Sequence, residues 1–321
     1  MKTILARTTI KARLRVAVGM LAAGFAICLA APAHAITMGI NLAFNPLNHT
    51  FASGYYNATT MGNYLTEIRN AHLRWVRVWA CDGLDGLTFD GSGNCTGING
   101  TLISNVQNFV WQANNKGITV EFVFLNSTDI KNHPNLVENT NNMNALINKG
   151  LVPLGKAFQG YTAQIDLVNE GDYTVGVVGW GYLRNFLGAA KKALVAGGVN
   201  RWVTMSIGYY TALTSANVGN LGFDFYEYHM YNDQGWCPIG GSFLGKPVEL
   251  NEFGAATPSE GWNHNSYSFN QTLLNNYMNN AKNAGYAVVA PWCYINDGDY
   301  QLRGNALMSN ISSWALSVNG S

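Results

Sequence analysis

Charge is scarce in this chain: Asp, Glu, Lys and Arg make up only 12% of its 321 residues, about half the usual share. Its 19 Lys and Arg and 18 Asp and Glu give a net charge of +1, and five of the basic residues (Lys2, Arg7, Lys11, Arg13 and Arg15) stand at the very start. A polyanionic partner such as nucleic acid needs clustered Lys and Arg, which the rest of the chain lacks. There is no CxxC or HExxH, so a zinc site has no support, and no G-x-S-x-G to suggest an esterase or deacetylase. No metal and no organic cofactor is implied. Beyond the first 35 residues nothing is long and apolar enough to span a bilayer. Low-complexity linkers and close repeats are lacking too.

What is present begins with a leader. After the basic positions, residues 16–31 are almost wholly apolar, and Ala33–His34–Ala35 supplies a small-x-small cleavage signature. Residues 1–35 thus read as a secretory signal peptide. Its removal leaves 286 of the 321 residues and takes five basic residues and no acid, so the net charge falls from +1 to −4. The mature chain is expected to be secreted, extracellular or periplasmic, off the membrane and monomeric. Of five cysteines four remain, Cys81, Cys95, Cys237 and Cys293. Export permits disulfides. Four cysteines allow three connectivities, and proximity favours Cys81–Cys95 across a Gly/Asp-rich loop, which leaves Cys237 with Cys293.

Short β-rich runs alternate with helical patterns about every 35 residues along the rest. Strands are predicted at TMGINLAF (37–44), WVRVWA (75–80), ITVEFVFLN (118–126), QIDLVNE (164–170), WVTMSIG (202–208), FDFYEYHMY (223–231), PVELNEF (247–253) and AVVAPWCY (287–294). Leu102, Val106, Phe109, Val110 and Ala113 recur at helical spacing, as do Leu146, Ile147, Leu151, Leu154 and Phe158. Leu183, Phe186, Leu187, Ala190 and Leu194 form a third stripe, stopped by Gly197–Gly198. All three stripes read as core. Eight strands alternating with helices over this length predict a single-domain (β/α)8 TIM barrel covering residues 36–321. A doubly wound open sheet is the rival, but no glycine fingerprint follows the first strand.

In such a barrel reactive side chains collect at the C-terminal ends of the strands. The fourth predicted strand ends in Asn169–Glu170, and the seventh, within KPVELNEFG (246–254), carries Glu252. Two glutamates on one rim suit glycosidic bond cleavage, in which one carboxyl protonates the leaving oxygen while the other stays ionised.

The chain here resembles the clan A glycoside hydrolases, with a pattern nearest to glycoside hydrolase family 5. That clan carries Asn-Glu at the end of strand 4 and a Glu near the end of strand 7. The resemblance implies Glu170 as acid/base, Glu252 as nucleophile, and a secreted retaining β-glycosidase that cleaves a glucan or mannan internally. Further marks follow in order: Arg77 in VRVW, His229 and Tyr231 in HMY, and Trp292 in PW. They imply substrate-binding or orienting roles. Asn169 would donate to the sugar 2-hydroxyl, Tyr231 would hydrogen-bond Glu252 and orient it, Arg77 would keep it ionised, His229 would line the glycone site or tune the acid/base, and Trp292 would floor a sugar ring. Two positions depart from the family pattern. Asn126 stands where a His is usual, as in mannan-degrading relatives, which also echo WACDG (79–83), and Gly171 stands where Pro is usual.

Other polar residues read as structural. Simple alternation puts Glu249 out of phase with Glu252, facing the helices in a salt bridge. Glu227 would be a buried partner of Arg77, and Asp166 and Asp172 structural or helix-start acids. Trp236, Trp262, Tyr209, Tyr210, Tyr300 and His264 fall in predicted loops, where rings can stack on sugars. A barrel that binds carbohydrate without cleaving it is the alternative; it would want one of the two carboxylates missing, and both are present.

Overall fold

Each β-rich run becomes one stave of a barrel. The computed structural model describes residues 36–43, 51, 54–255, 270–295 and 301–320, and the unit formed by residues 34–321 is the barrel. Its strands are β1 Thr37–Asn41, β2 Trp75–Trp79, β3 Thr119–Asn126, β4 Ala163–Asn169, β5 in two pieces at Trp202–Thr204 and Ser206–Ile207, β6 Tyr226–Tyr231, β7 Lys246–Gly254 and β8 Val288–Pro291. Neighbours pair in parallel, and β1 lies between β2 and β8. The ring closes through β5, whose first piece pairs with β4 and whose second pairs with β6. This is the predicted (β/α)8 barrel.

Around it run α1 Ala58–Asn70, α2 Gly100–Asn114, α3 Val175–Ala196, α4 Gln271–Ala284 and α5 Leu307–Asn319. Their starts follow from capping chemistry: the Asn57, Asn99 and Asn270 side chains accept from Thr60, Thr101 and Leu273 N–H groups, which the first turn leaves unpaired. Helix α3 ends at Gly197–Gly198, with Gly198 at φ +80°. Between β3 and β4 the outer layer is a run of short helical pieces, the last three spanning residues 140–157. The three predicted apolar stripes are all buried between strands and helices. No helix among the described residues is long and apolar enough to cross a membrane. The leader, Trp262, His264 and Tyr300 lie outside the described residues.

Two expectations are corrected. Glu249 does not face the helices. Against β6, Leu250 pairs with Tyr228 but Glu252 pairs with His229, so Asn251 is an extra residue in β7. A bulge of this kind resets the alternation. Val248, Leu250 and Phe253 point outward to the core, with Phe253 on Tyr277 of α4, while Glu249 and Glu252 both turn into the barrel. Glu249 takes hydrogen bonds from Gln164 (3.2 Å) and Asn251 (2.8 Å) in place of a salt bridge.

The proposed disulfides are absent as well, for Cys81, Cys95, Cys237 and Cys293 are not joined in S–S bonds. Cys95 and Cys293 spend their S–H groups on the carbonyls of Gly97 and Ile295, and Cys237 points to Gly235. Cys237 shares a pocket with Tyr228 and Tyr286, on the helix side of the barrel wall, whereas Cys293 follows the C-terminal end of β8, so the two do not meet. Cys81 is fully buried, which pushes its thiol far up and leaves little reactive thiolate.

Candidate active site

The residues singled out in the sequence meet at the C-terminal mouth. Glu170 follows the last residue of β4 with φ 50°, ψ 49°, a left-handed conformation that costs a non-glycine residue roughly 1–2 kcal/mol. The turn is held from both sides. The Glu170 N–H donates to Ser206 Oγ at 2.8 Å, and its carbonyl accepts from Tyr173 N at 2.9 Å. Gly171 is explained here: a Cβ at that position would come within 2.2 Å of Met205 Sδ, the residue that splits β5. Asp172 then ties the turn to the loop after β5 by accepting from the N–H groups of Gly208 and Tyr209.

Glu252 sits opposite. Tyr231 Oη donates to its Oε1 at 2.5 Å, and Arg77 Nη1 donates to its Oε2 at 3.1 Å. His229 Nδ1 lies 3.1 Å from Glu170 Oε1 and 3.4 Å from Glu252 Oε2. Glu170, His229 and Glu252 each offer an atom within 4.8 Å of the other two. Burial pushes the Glu252 carboxyl up, and the charge of Glu170 adds to this; His229, Arg77 and Tyr231 pull the other way. For His229 burial is again the largest influence and opposes its charge, but Glu252, Glu170 and Glu227 outweigh it and raise the imidazole to about 10.

Asn169 and Asn126 pair across β3 and β4. Arg77 Nη2 donates to Asn169 Oδ1 at 2.8 Å, which fixes the amide with its NH2 free for another acceptor. Asn126 starts the short helix after β3, its N–H donating to Asp129 at 2.8 Å, so the position is also a cap. Trp292 meets Trp79 edge to face at 5.5 Å. Both rings, both asparagines and both glutamates line a cavity of about 320 Å³ at the mouth, with Asp82, Lys131 and Tyr173 around them. Tyr209 and Trp236 stand about half exposed on the neighbouring loops.

Beneath the mouth lies a layer that the sequence reading only partly anticipated. Fully buried Arg77 contacts Glu121 (2.9 Å), Asp166 (2.7 Å), Glu227 (3.2 Å) and Glu252 (3.1 Å), so the pairing expected for Glu227 is present. Ser206, which sequence reasoning missed, donates to Asp166 Oδ2 at 2.8 Å and accepts from Arg77 as well as from Glu170 N–H. Its one signal was an inward position near the end of β5. Glu121, Glu249 and Asn251 were not read as inward either. Burial and Glu227 push Glu121 well above the usual carboxylate range and Asp166 to about 6. Burial likewise lifts Glu249 to about 8. Glu121, Asp166 and Glu227 are close enough together to hold a cation, but the Arg77 guanidinium already touches all three.

No protein-family model and no curated protein matches the chain. Solved structures do. The β-mannanase of the blue mussel Mytilus edulis is 21% identical, covers 87% of this chain and 92% of its own, and superposes with a TM-score of 0.67. The endo-1,4-β-mannanase of Eisenia fetida is 20% identical over 89% and 90%, with a TM-score of 0.69. An endo-β-1,4-glucanase from Xanthomonas axonopodis pv. citri is 15% identical over 88% and 99%, at 0.56. Likeness at these identities is a likeness of fold, and the fold it establishes is the (β/α)8 barrel.

Proposed function

We propose that the chain is a retaining glycoside hydrolase of clan A, of the family 5 type, which cleaves a β-linked polysaccharide of mannose or glucose units at internal bonds. The observation that carries this reading is the pair of facing glutamates. Oxygens of Glu170 and Glu252 lie within 4.8 Å of each other at the mouth, which suits the ~5–5.5 Å carboxyl separation of double-displacement enzymes better than the wider gap of an inverting pair. Glu252 attacks the anomeric carbon as Glu170 protonates the departing oxygen; Glu170 then takes a proton from the water that releases the sugar. Arg77 and Tyr231 keep Glu252 ionised and aimed. The free NH2 of Asn169 reaches the 2-hydroxyl, Asn126 borders the same cavity, and Trp292 with Trp79 forms its apolar wall. The exposed rings of Tyr209 and Trp236 would carry a chain beyond the scissile bond, which favours endo action. Residues 1–35 act as a signal peptide cleaved after Ala35, which N-terminal sequencing of exported protein would check.

A panel of β-mannan, β-glucan and related polymers tests the activity, with β-1,4-mannan first because mannanases are among the structures of like fold. In Glu252→Gly, azide should restore cleavage with an α-glycosyl azide, and in Glu170→Ala with a β-glycosyl azide. Net inversion by the wild type would rule the mechanism out. Binding across the panel without hydrolysis would favour a non-catalytic carbohydrate-binding barrel.

A further inference from the structure

Glu227 is a buried carboxylate that the proposed chemistry does not use, yet one of its oxygens lies between the two cations of the site. Glu227 Oε1 is 3.2 Å from Arg77 Nε and 3.5 Å from His229 Nε2. Neither Glu227 oxygen accepts a hydrogen bond of good geometry, and His229 Nε2 makes none, so charge is what joins them. The imidazole then has a carboxylate at each nitrogen: Glu227 beyond Nε2, and Glu170 and Glu252 beyond Nδ1. Either neutral tautomer would aim a nitrogen lone pair at a carboxylate. Only the doubly protonated ring suits both sides.

We propose that Glu227 is a positioning residue that holds His229 as a permanent imidazolium, so that one fixed cation serves Glu170 and Glu252 in turn. The inference rests on the glycosidase reading for its kinetic consequence. Before attack the negative charge is on Glu252. Once Glu252 is esterified by the sugar and Glu170 has given up its proton, the charge is on Glu170. A cation 3.1 Å from one and 3.4 Å from the other neutralises both states without moving, and a site that need not reorganise accelerates each step. The groups facing Glu227 and His229 are Arg77 from β2, Glu121 from β3, Asp166 and Glu170 from and just beyond β4, and Glu249 and Glu252 from β7. Among these Arg77 alone is a cation, and it is already shared by four carboxylates. Removing the Glu227 charge is therefore felt at His229.

Glu227→Gln keeps the shape and removes the charge. Imidazole ¹⁵N spectra of unliganded wild type should show His229 protonated on both nitrogens past pH 9. The variant should lose that proton about 1–3 pH units earlier, the range expected for a nearby opposite charge. Loss of a buried anion makes every neighbouring proton easier to lose, so both limbs of kcat/KM against pH, on the polymer cleaved fastest in the panel, should move to lower pH by about one unit. Glu227→Asp, which restores the charge, should bring the limbs back toward wild type. A wild-type His229 that titrates near the ordinary 6.5 would overturn the proposal, as would a Glu227→Gln profile reduced in height with unmoved limbs. If Glu227→Gln does not fold, the wild-type titration and the Asp variant decide. Failure of every glycan in the panel would sink the enzymatic reading, while the His229 spectra would still report whether Glu227 fixes its charge.

Discussion

The two faces of the barrel wall differ as much as any two regions of this protein. Outward, the strands present Val76, Val78, Val120, Phe122, Ile165, Leu167 and Val203 to the helices, all fully buried. Inward, the same strands present Asn41, Arg77, Glu121, Gln164, Asp166, Ser206, Glu227, Glu249 and Asn251, which are buried as completely or nearly so. Barrel interiors are ordinarily filled by layers of branched apolar residues. Here hydrocarbon builds the shell, and a hydrogen-bonded ionic network fills the centre directly under Glu170 and Glu252 at the mouth. Of five interior carboxylates, Glu121, Asp166, Glu227 and Glu252 share Arg77, and Glu227 and Glu252 also face His229, while Glu249 is held by hydrogen bonds from Gln164 and Asn251. Ionising all five would leave charge unpaired in a dry interior, so the upward push on Glu121 and Glu249 is how the layer lowers its own cost.

The largest effect should come from breaking the interior at its hub. Arg77→Met is expected to cost more than the roughly 3–5 kcal/mol typical of stripping one partner from a buried ion pair, since four carboxylates lose their counter-charge. Urea unfolding would measure it, and activity should vanish with the support of Glu252. The matching cut in the shell is Phe122→Ala, which removes a ring stacked 4.6 Å from Phe158 and should cost about 3–5 kcal/mol. Here kcat/KM per folded molecule should stay near wild type, because Phe122 points away from the site. Equal kinetic damage from the two variants would mean that the faces are not separate.

The two faces were also unequally legible in the sequence. The shell announces itself through periodicity: Leu102 to Ala113 and Leu183 to Leu194 recur at helical spacing, and all eight strands lie where β-rich runs stand. Glu170 and Glu252 were legible because strand ends in a barrel converge on one mouth. The interior was legible only in part, and on β7 the reason is one residue. Asn251 is inserted into β7, and a period-2 reading carried through a bulge sends Glu249 to the wrong face. A bulge has no signature in composition. The thiols erred differently: export makes disulfides permissible, but pairing depends on where the chain brings Cys237 and Cys293, which spacing does not encode.

A smaller effect belongs to the seam where the faces meet. Gly171 lets the turn after β4 pass Met205, and Gly171→Ala would place a methyl within 2.2 Å of Sδ. Overpacking of this kind costs about 1–3 kcal/mol. Because the turn carries Glu170, kcat should fall more than stability does, and Met205→Ala in the same chain should recover part of it by opening room. Loss of stability alone, with kcat intact, would show that the turn yields without moving Glu170.

The smallest effect at pH 5, and the most pH-dependent, is that of Glu249→Gln. Burial lifts the folded-state value of Glu249 from the ordinary 4.5 to about 8, so the folded protein keeps a proton that the unfolded chain surrenders. The associated stability is fully present below pH 4.5 and is lost as pH rises to about 8, because over that window the folded state binds more protons. Glutamine repeats the donor and acceptor of the protonated acid and cannot ionise. At pH 5 the variant should therefore match wild type within about 1 kcal/mol. Above pH 8 it should be the more stable of the two, with the gap opening through the window and then levelling off. Asp166, lifted to about 6 from 3.8 by the same burial, has the same sign and titrates in both proteins, so a decline between about pH 4 and 6 should survive in the variant. Thermal melts from pH 4 to 9 would read both. Parallel curves throughout would mean that Glu249 is already ionised at neutral pH and that the interior tolerates more charge than its two cations can balance.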